Sequence, residues 1–385
     1  MSSVAGILLV GACVVLIAGL AAAIWAASSA LLVPRPYRLM PKFRVLDNAD
    51  GKVTLPAPAS AGQFADTRKQ GAFGLVWDGG YGHLGPVLSD DGTRVVRPLR
   101  VVAGAPPVAG DPARIDNFLY RRDPGSDLGM TFEDVCVPSD VGDLAAWWLP
   151  GTPGTTGVLL LHGRRRGERA ETLRVLPTVA DAGRSVLVLA YRNHRDSPAS
   201  PDGFYHYGAS EADDALAGAR FLAKHGVAGV VLYGFSMGGA TALEAFKRWP
   251  ATGVPRVVGV VLDAPLVDPA AVMEARVRRD RIPFPRAWTR ATLALAGWRS
   301  GVPWRALDQR RAAPDIDVPV LLVAGTDDQT VPIEVIDAFA ARLGNRVTYH
   351  RVDGADHIEA WNVDPDAYAG KLETFLASLN VGRSA

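Results

Sequence analysis

The stretch Gly234-Phe235-Ser236-Met237-Gly238 follows an apolar run, residues 227–233, and leads into a helical pattern over residues 240–249. The apolar run predicts a buried β-strand, which places the serine at a tight turn from strand to helix. Such a turn exposes the hydroxyl at the carboxyl end of the strand, and the flanking glycines allow a strained bend and close packing. The stretch therefore predicts an α/β fold that presents Ser236 as a nucleophile.

Around this turn, apolar strands alternate with longer helical segments from about residue 130 to the C-terminus. The predicted strands are 131–138, 143–149, 158–161, 185–190, 227–233, 257–262, 318–323 and 347–352, and the first two form an antiparallel hairpin. The predicted helices are 171–182, 209–224, 240–249, 334–343 and 365–379. The alternation is typical of a mostly parallel sheet covered by helices. We therefore expect a doubly wound sheet of about eight strands in a domain over residues 128–385.

The N-terminal segment, residues 4–33, carries no charged side chain and is long enough to cross a bilayer as a helix. A cleaved signal peptide is the alternative, but residues 1–5 lack Lys and Arg and the apolar run is too long for one. We predict a transmembrane anchor over residues 1–33. Basic residues follow this segment and none precedes it, so the large C-terminal part is expected to face the cytoplasm, with export as the alternative. These basic residues are Arg35, Arg38, Lys42 and Arg44.

Residues 34–127 are rich in Gly and Pro and contain short β-like runs at 52–55, 74–77 and 93–102. We predict a small β-rich accessory region. The segment Gly80-Tyr81-Gly82-His83-Leu84-Gly85 formally matches a dinucleotide-binding motif, but Pro86 and a strand-like run follow where that motif requires a helix. We interpret the segment as a glycine-rich loop.

The overall composition excludes several classes of protein. The chain has 385 residues and a net charge of +1, and its arginines form no single basic block, so a nucleic-acid partner is not expected. The two cysteines, Cys13 and Cys136, do not make a disulfide framework. The sequence has no His-Glu-x-x-His, Cys-x-x-Cys or glycine-rich phosphate loop. Neither a metal nor a nucleotide is therefore indicated, and no cofactor is expected.

From about residue 131 onward the sequence resembles an α/β-hydrolase, and its N-terminal anchor makes it similar to the membrane-tethered serine hydrolases of the BEM46-like group. In this family a nucleophile, an acid and a base follow one another along the chain. A serine must lose a proton as it attacks a carbonyl, so a histidine accepts the proton and a buried carboxylate orients the imidazole. The resemblance implies Ser236 as the nucleophile, with Gly234 and Gly238 shaping its turn.

The resemblance also selects the acid and the base. The segment 320–332 is similar to the family's strand, turn and acid, and the acid lies three residues after Gly325, at Asp328. For an isolated pair such as Asp327 and Asp328, solvated turn residues or a helix cap would be the default interpretation. The base is His357, which follows the last predicted strand, although Asp356 stands where the family more often has glycine.

The other histidines are not expected to act as the base. His350 lies inside a predicted strand, where it packs or faces solvent. His83, His194, His206 and His225 are predicted to be polar surface groups in loops or at helix ends. His162 belongs to the segment His162-Gly163-Arg164, directly after strand 158–161.

That segment is implied, by resemblance, to hold part of an oxyanion hole. The backbone N–H groups of Arg164 and Met237 would donate to the developing oxyanion. The run Arg164-Arg165-Arg166 is either a solvated basic loop or places one guanidinium where it binds a carboxylate or phosphate.

The regular alternation stops in an insert, residues 267–314, which is helical in pattern and contains Trp288, Trp298 and Trp304. We expect it to form a lid over the pocket. Its tryptophans either contact an apolar acyl chain or pack the core of the insert itself.

The expectation is a membrane-anchored serine hydrolase that cleaves a small-molecule carboxylic ester or thioester, lipids included, through an acyl-enzyme. A serine aminopeptidase or amidase with the same triad is one alternative. A catalytically silent hydrolase fold that serves as a membrane scaffold is the other.

Overall fold

The computed structural model describes residues 3–35, 40–58, 64–164 and 168–379. The N-terminal apolar run forms one helix, α1 (Ser3–Leu32). Its segment Leu9–Leu32 is long and apolar enough to cross a membrane. Side chains in the middle of this segment are exposed, whereas Ser28 and Leu32 in its last turn are fully buried. The end of α1 therefore packs against the rest of the protein.

Eight strands after α1 form an antiparallel sheet: β1 (Phe43–Arg44), β2 (Asp47–Ala49), β3 (Lys52–Pro56), β4 (Phe73–Trp77), β5 (Gly80–Leu84), β6 (Ser89–Asp90), β7 (Arg94–Ala103) and β8 (Pro112–Asp116). Their order is β1-β8-β4-β5-β7-β3-β2, and β6 pairs with β7. Val53, Leu75 and Ile115 lie in a core that belongs to this sheet. The expected β-rich N-terminal region is confirmed.

The interpretation of residues 80–85 as a loop is wrong, because residues 80–84 form strand β5. This strand pairs with β4 on one side and with β7 on the other. Its glycines allow the neighbouring strands to come close, since a Cβ atom on Gly82 would lie 2.7 Å from the carbonyl oxygen of Arg100.

A short helix, α2 (Pro124–Leu128), leads to the second sheet. This sheet has eight strands: β9 (Glu133–Ser139), β10 (Gly142–Leu149), β11 (Thr156–Leu161), β12 (Val186–Leu189), β13 (Gly229–Phe235), β14 (Arg256–Asp263), β15 (Val320–Gly325) and β16 (Val347–Val352). Their order is β9-β10-β12-β11-β13-β14-β15-β16. The pairs β9/β10 and β10/β12 are antiparallel, and the others are parallel. The predicted sheet is confirmed.

Helices cover both faces of this sheet: α3 (Leu176–Ala180), α4 (Glu211–Lys224), α5 (Met237–Lys247), α6 (Pro269–Arg279), α7 (Pro285–Ser300), α8 (Ile333–Leu343), α9 (Ala360–Val363) and α10 (Pro365–Ser378). The predicted continuous helix 171–182 is wrong. Two 3₁₀ turns, Arg169–Thr172 and Asp181–Gly183, flank the short helix α3. Pro177 explains the break, because proline has no N–H and is tolerated only in the first turn of a helix.

The insert over residues 267–314 contains α6 and α7, and α7 packs against α1. The region of the first sheet contacts the part of the chain that contains the second sheet, near α9. Ala72 donates its N–H to the carbonyl oxygen of Asn362 at 2.7 Å, and the Asn362 side-chain amide donates to the carbonyl oxygens of Ala72 and Asn117. Lys69 forms an ion pair with buried Glu359. The accessory region thus packs on the segment that directly follows His357.

Candidate active site

The serine turn lies between β13 and α5. Ser236 has φ 49° and ψ −112°, and a positive φ is uncommon for a residue with a side chain. Gly234 and Gly238 make this turn possible because neither position has space for a Cβ atom. A Cβ on Gly234 would lie 2.3 Å from the carbonyl oxygen of Gly238, and a Cβ on Gly238 would lie 2.1 Å from that of Leu161. The bend is therefore fixed by backbone packing.

The structure brings together the three residues selected from the sequence. His357 Nε2 lies 2.9 Å from Ser236 Oγ, and His357 Nδ1 lies 2.7 Å from Asp328 Oδ2. Asp328 Oδ1 accepts the N–H groups of Thr330 and Val331, each at 2.7 Å. Because both carboxylate oxygens have partners, the carboxylate is held in one orientation toward the imidazole.

Asp327 lies in the same turn but is exposed, and its carboxylate accepts only the hydroxyl of neighbouring Thr326 among the described residues. It does not cap the following helix, because Asp328 accepts the turn amides. Asp263, the last residue of β14, is buried and accepts the hydroxyl of Tyr368 at 2.9 Å. Of these carboxylates, only Asp328 contacts the imidazole of His357.

Asp356, which stands where the family more often has glycine, connects the loops of the acid and the base. Its Oδ1 accepts the N–H groups of His357 at 2.6 Å and of Gln329 at 3.0 Å. Burial alone lowers the pKa of His357, but the carboxylates of Asp328, Asp356 and Glu171 outweigh burial, and the net pKa is raised above its ordinary value. The imidazolium form is thereby stabilised.

The loop after β11 packs against the serine. A Cβ atom on Gly163 would lie 3.3 Å from Ser236 Cβ, which leaves glycine as the residue that fits there without a shift. Arg164 follows directly, and Met237 is the first residue of α5, where a backbone N–H has no partner within the helix. Both N–H groups implied for the oxyanion hole therefore belong to segments that border Ser236.

Glu171 is a site residue that the sequence reasoning missed. It is fully buried in the 3₁₀ turn Arg169–Thr172, and its Oε2 accepts the N–H of Gly163. Burial raises the pKa of Glu171, and Arg174 and the Gly163 N–H partly offset this effect. The carboxylate fixes the loop that carries Arg164. No signal in the sequence distinguished this glutamate from a helical surface residue.

His194 was predicted to be a surface group, and this is wrong. It is buried between the rings of His162, Tyr191 and Tyr205, at centroid distances of 4.6, 4.4 and 5.0 Å. Burial lowers the pKa of His162 to about 4 and lowers the pKa of His194 well below its ordinary value, so both imidazoles are neutral near pH 7. His162 Nδ1–H donates to the carbonyl oxygen of Gly163 at 2.9 Å. This cluster of rings holds His162, the first residue of the loop after β11.

The remaining histidines lie in strands of the two sheets, in the loop before α4 or at the end of α4. His350 is half-buried in β16, and His83 is half-buried in strand β5 rather than in a loop. His206 contacts Ser210 and Asp202.

The side chain of Arg164 is neither a solvated basic group nor placed to bind a carboxylate or phosphate, the two roles expected for the arginine run. Its guanidinium donates to the carbonyl oxygens at the end of α1 and to the hydroxyl of Tyr207. Arg165 and Arg166, and Arg38 from the basic flank of α1, lie outside the described residues. In the insert, Trp304 is buried against Tyr207, whereas Trp298 is 79% exposed. Packing therefore accounts for Trp304.

Comparison with known proteins identifies the family. The model of the alpha/beta hydrolase family matches residues 158–371. This chain belongs to the alpha/beta hydrolase family. A domain of unknown function (DUF8805) matches residues 44–116, within the first sheet.

Two relatives share about a quarter of their residues with this chain. Human protein ABHD12B is 26% identical over 248 residues, which cover 57% of this chain and 59% of the human protein. An uncharacterized protein of Mycobacterium tuberculosis is 27% identical over 255 residues, 64% of this chain and 80% of that protein. The chain thus matches less than two thirds of the human relative's length. The predicted resemblance to this superfamily and its BEM46-like group is confirmed.

Solved structures agree with the fold. An esterase from Pyrococcus furiosus superimposes with a TM-score of 0.53 at 22% identity, covering 67% of this chain and 94% of the esterase. Together with the family match, this likeness confirms the α/β-hydrolase fold.

Proposed function

We propose that the protein is a membrane-anchored serine hydrolase that cleaves a carboxylic ester or thioester through an acyl-enzyme. One observation carries the proposal, the continuous set of contacts from Ser236 Oγ to His357 and from His357 to Asp328. A hydroxyl, an imidazole and a carboxylate in this arrangement are what general-base activation of a serine requires.

In the proposed reaction, Ser236 Oγ attacks the acyl carbon and its proton moves to His357 Nε2. Asp328 stabilises the imidazolium, and the raised pKa of His357 is consistent with that role. The N–H groups of Arg164 and Met237 donate to the oxyanion. His357 then protonates the leaving alcohol or thiol. In the second half, His357 removes a proton from water as the water oxygen attacks the acyl carbon, and it then returns this proton to Ser236 Oγ as the bond to the acyl group breaks and the acid leaves.

The membrane part of the proposal rests on α1. Leu9–Leu32 is long and apolar enough to span a bilayer, and Arg35, Lys42 and Arg44 follow it. The positive-inside rule then places the hydrolase domain in the cytoplasm. A reporter fused after the C-terminus tests this placement, because an alkaline phosphatase fusion that is active there would mean that the domain is exported.

The activity is tested with the full chain in detergent. We expect a fluorophosphonate probe to label Ser236, and we expect Ser236→Ala to abolish both labelling and ester hydrolysis while the melting temperature is kept. Retained labelling on another serine would refute the assignment of the nucleophile. A panel of p-nitrophenyl esters, thioesters and aminoacyl-anilides then separates an esterase from an aminopeptidase. A wild-type protein that neither labels nor hydrolyses any of them would be a scaffold.

A further inference from the structure

The end of helix α1 is bound by side chains of the hydrolase domain. Arg164 Nη1 lies 2.8 Å from the carbonyl oxygen of Leu31 and 3.3 Å from that of Ala30. Tyr207 donates its hydroxyl to the same Leu31 oxygen at 2.9 Å and accepts from Arg164 at 2.7 Å. The backbone N–H of Tyr205 donates to the carbonyl oxygen of Leu32 at 2.8 Å. Three consecutive carbonyls of α1 therefore have partners in the domain.

These carbonyls are the ones that a helix leaves without partners. The last four C=O groups of a helix have no intrahelical donor, and the C-terminus carries partial negative charge that a cation stabilises. In a protein interior such groups require a donor. Arg164 supplies a guanidinium that lies 5.4 Å from the ring centroid of Tyr207. The contact thus provides hydrogen-bond donors for the last carbonyl groups of α1 and acceptors for the guanidinium of Arg164.

The same arginine belongs to the loop that borders the serine. Arg164 follows Gly163, whose Cβ position would be 3.3 Å from Ser236 Cβ, and the Gly163 N–H is held by buried Glu171. The backbone of Arg164 is therefore fixed on one side by Glu171, and its side chain is fixed on the other side by α1. Arg164 therefore connects helix α1 to the segment His162-Gly163-Arg164, which we call the oxyanion loop.

We propose that the C-terminal end of α1 positions the oxyanion loop through the side chain of Arg164. This inference rests on the proposed function. The backbone N–H of Arg164 donates to the oxyanion, whereas its guanidinium acts only through the loop, so the side chain is a positioning group. Helix α1 then helps to set the geometry of the active site, in addition to its proposed role as a membrane anchor. Loss of the contact should lower kcat and leave KM nearly unchanged, because the oxyanion forms only after substrate has bound.

Variants of the full chain in detergent test this coupling. Arg164→Ala keeps the backbone N–H and removes the guanidinium, and we expect kcat to fall roughly 10- to 100-fold, as for a misplaced catalytic donor. Arg164→Lys should recover part of this loss, because lysine keeps a cationic donor. Tyr207→Phe removes one hydroxyl from the same contact and should lower kcat several-fold. It tests the inference even if Arg164→Ala does not fold.

The matched control is Ser28→Ala. Ser28 lies one turn earlier on α1 and accepts a hydrogen bond from Arg299 of the insert at 2.6 Å, without contact to the oxyanion loop. This variant should keep kcat, even if its melting temperature falls. Equal losses of kcat in Ser28→Ala and Arg164→Ala would show a general effect of docking and would overturn the inference.

A thionoester substrate reports on the oxyanion hole itself. Sulfur accepts hydrogen bonds less well than oxygen, so a correctly placed pair of N–H groups favours the oxoester. The oxo-to-thiono ratio of kcat should fall in Arg164→Ala and Tyr207→Phe and stay constant in Ser28→Ala. An active wild type whose Arg164 and Tyr207 variants keep both kcat and this ratio would overturn the inference alone. A wild type that neither labels nor hydrolyses esters would refute the proposed function as well.

Discussion

Replacing Asp328 or its neighbour Asp327 by asparagine tests which of the two carboxylates orients the imidazole of His357. In Asp328→Asn the side chain keeps its shape, but one oxygen becomes an NH₂ group. The N–H groups of Thr330 and Val331 point at Oδ1, each at 2.7 Å, so the asparagine must place its remaining oxygen there. Its NH₂ group then faces His357 Nδ1, where Oδ2 stands at 2.7 Å in the native protein.

An NH₂ group at this position can only donate. His357 Nδ1 must therefore accept, and the proton of the neutral ring moves to Nε2, the atom that faces Ser236 Oγ at 2.9 Å. An imidazole in this tautomer cannot take the serine proton. The wrong tautomer costs about 10⁴ in kcat, or on the order of 5 kcal/mol in the activation free energy. The fold should persist, because both turn amides still have an acceptor.

Asp327→Asn is the matched control, since Asp327 is exposed and, among the described residues, its carboxylate accepts a hydrogen bond only from Thr326. We expect its kcat and melting temperature to stay close to wild type, because exposed substitutions usually change stability by less than about 0.5 kcal/mol. Ester turnover and thermal unfolding, measured for both variants, show which aspartate is required for activity. If Asp327→Asn were the inactive variant, the acid would be misassigned by one residue. Two active variants would place the acid elsewhere.

Three further perturbations test the base, the serine turn and the docking of the accessory region. Since the pKa of His357 is raised above its ordinary value, kcat/KM should increase with pH with a midpoint above about 6.5, and a lower midpoint in the pH profile would contradict this. Gly238→Ala would place a Cβ 2.1 Å from the carbonyl oxygen of Leu161 and should cost about 1–3 kcal/mol or more in unfolding free energy, with loss of activity, whereas Gly370→Ala, where nothing lies within 4 Å, should be neutral or stabilising in the same denaturant titration. Burial raises the pKa of Glu359 to about 7, so between about pH 4.5 and 7 the folded state retains a proton that the unfolded state releases, and the free energy of unfolding falls as pH rises. Glu359→Gln should remove up to about 3 kcal/mol of this pH dependence. If the melting temperatures of the wild type and of Glu359→Gln changed equally with pH, the carboxyl would not be protonated in the folded state.

The parallel sheet could be predicted from the sequence because its central strands are buried on both faces. β11, β13 and β15 are continuous apolar runs, and such runs stand out in any sequence. The order of serine, aspartate and histidine then followed from their positions after strands. The family resemblance, rather than periodicity, selected Asp328 over Asp327.

Elements without such a pattern were missed. Strand β5 has three alternating positions occupied by Gly80, Gly82 and Leu84, so its sequence carries no apolar alternation, and its strand conformation is imposed by pairing with β4 and β7. Around Pro177 the sequence is helical in pattern, but this proline prevents one continuous helix. Tertiary contacts overrode local propensity in the first case, and local backbone chemistry overrode periodicity in the second.

Supporting residues of the site were equally hidden. Glu171 and His194 are buried polar residues, and burial of a polar side chain depends on partners distant in sequence. Glu171 meets an N–H from a different segment, and His194 meets three aromatic rings. Sequence patterns identify groups that react, because their types are few, but they do not identify the groups that hold them.

The contact between Arg164 and α1 also limits where the hydrolase domain can lie relative to a bilayer. In helix α1, residues from Trp25 onward have protein contacts, since the Arg299 guanidinium lies 4.2 Å from the Trp25 ring centroid and Ser28 and Leu31 accept hydrogen bonds. The uncharged residues 4–24 of the helix remain, and at 1.5 Å per residue they extend about 32 Å, close to the thickness of about 30 Å that a hydrocarbon core requires. In the proposed membrane-anchored form no linker separates the bilayer from the domain. The loop that carries Arg164, and Ser236 behind it, would then lie at the level of the lipid head groups.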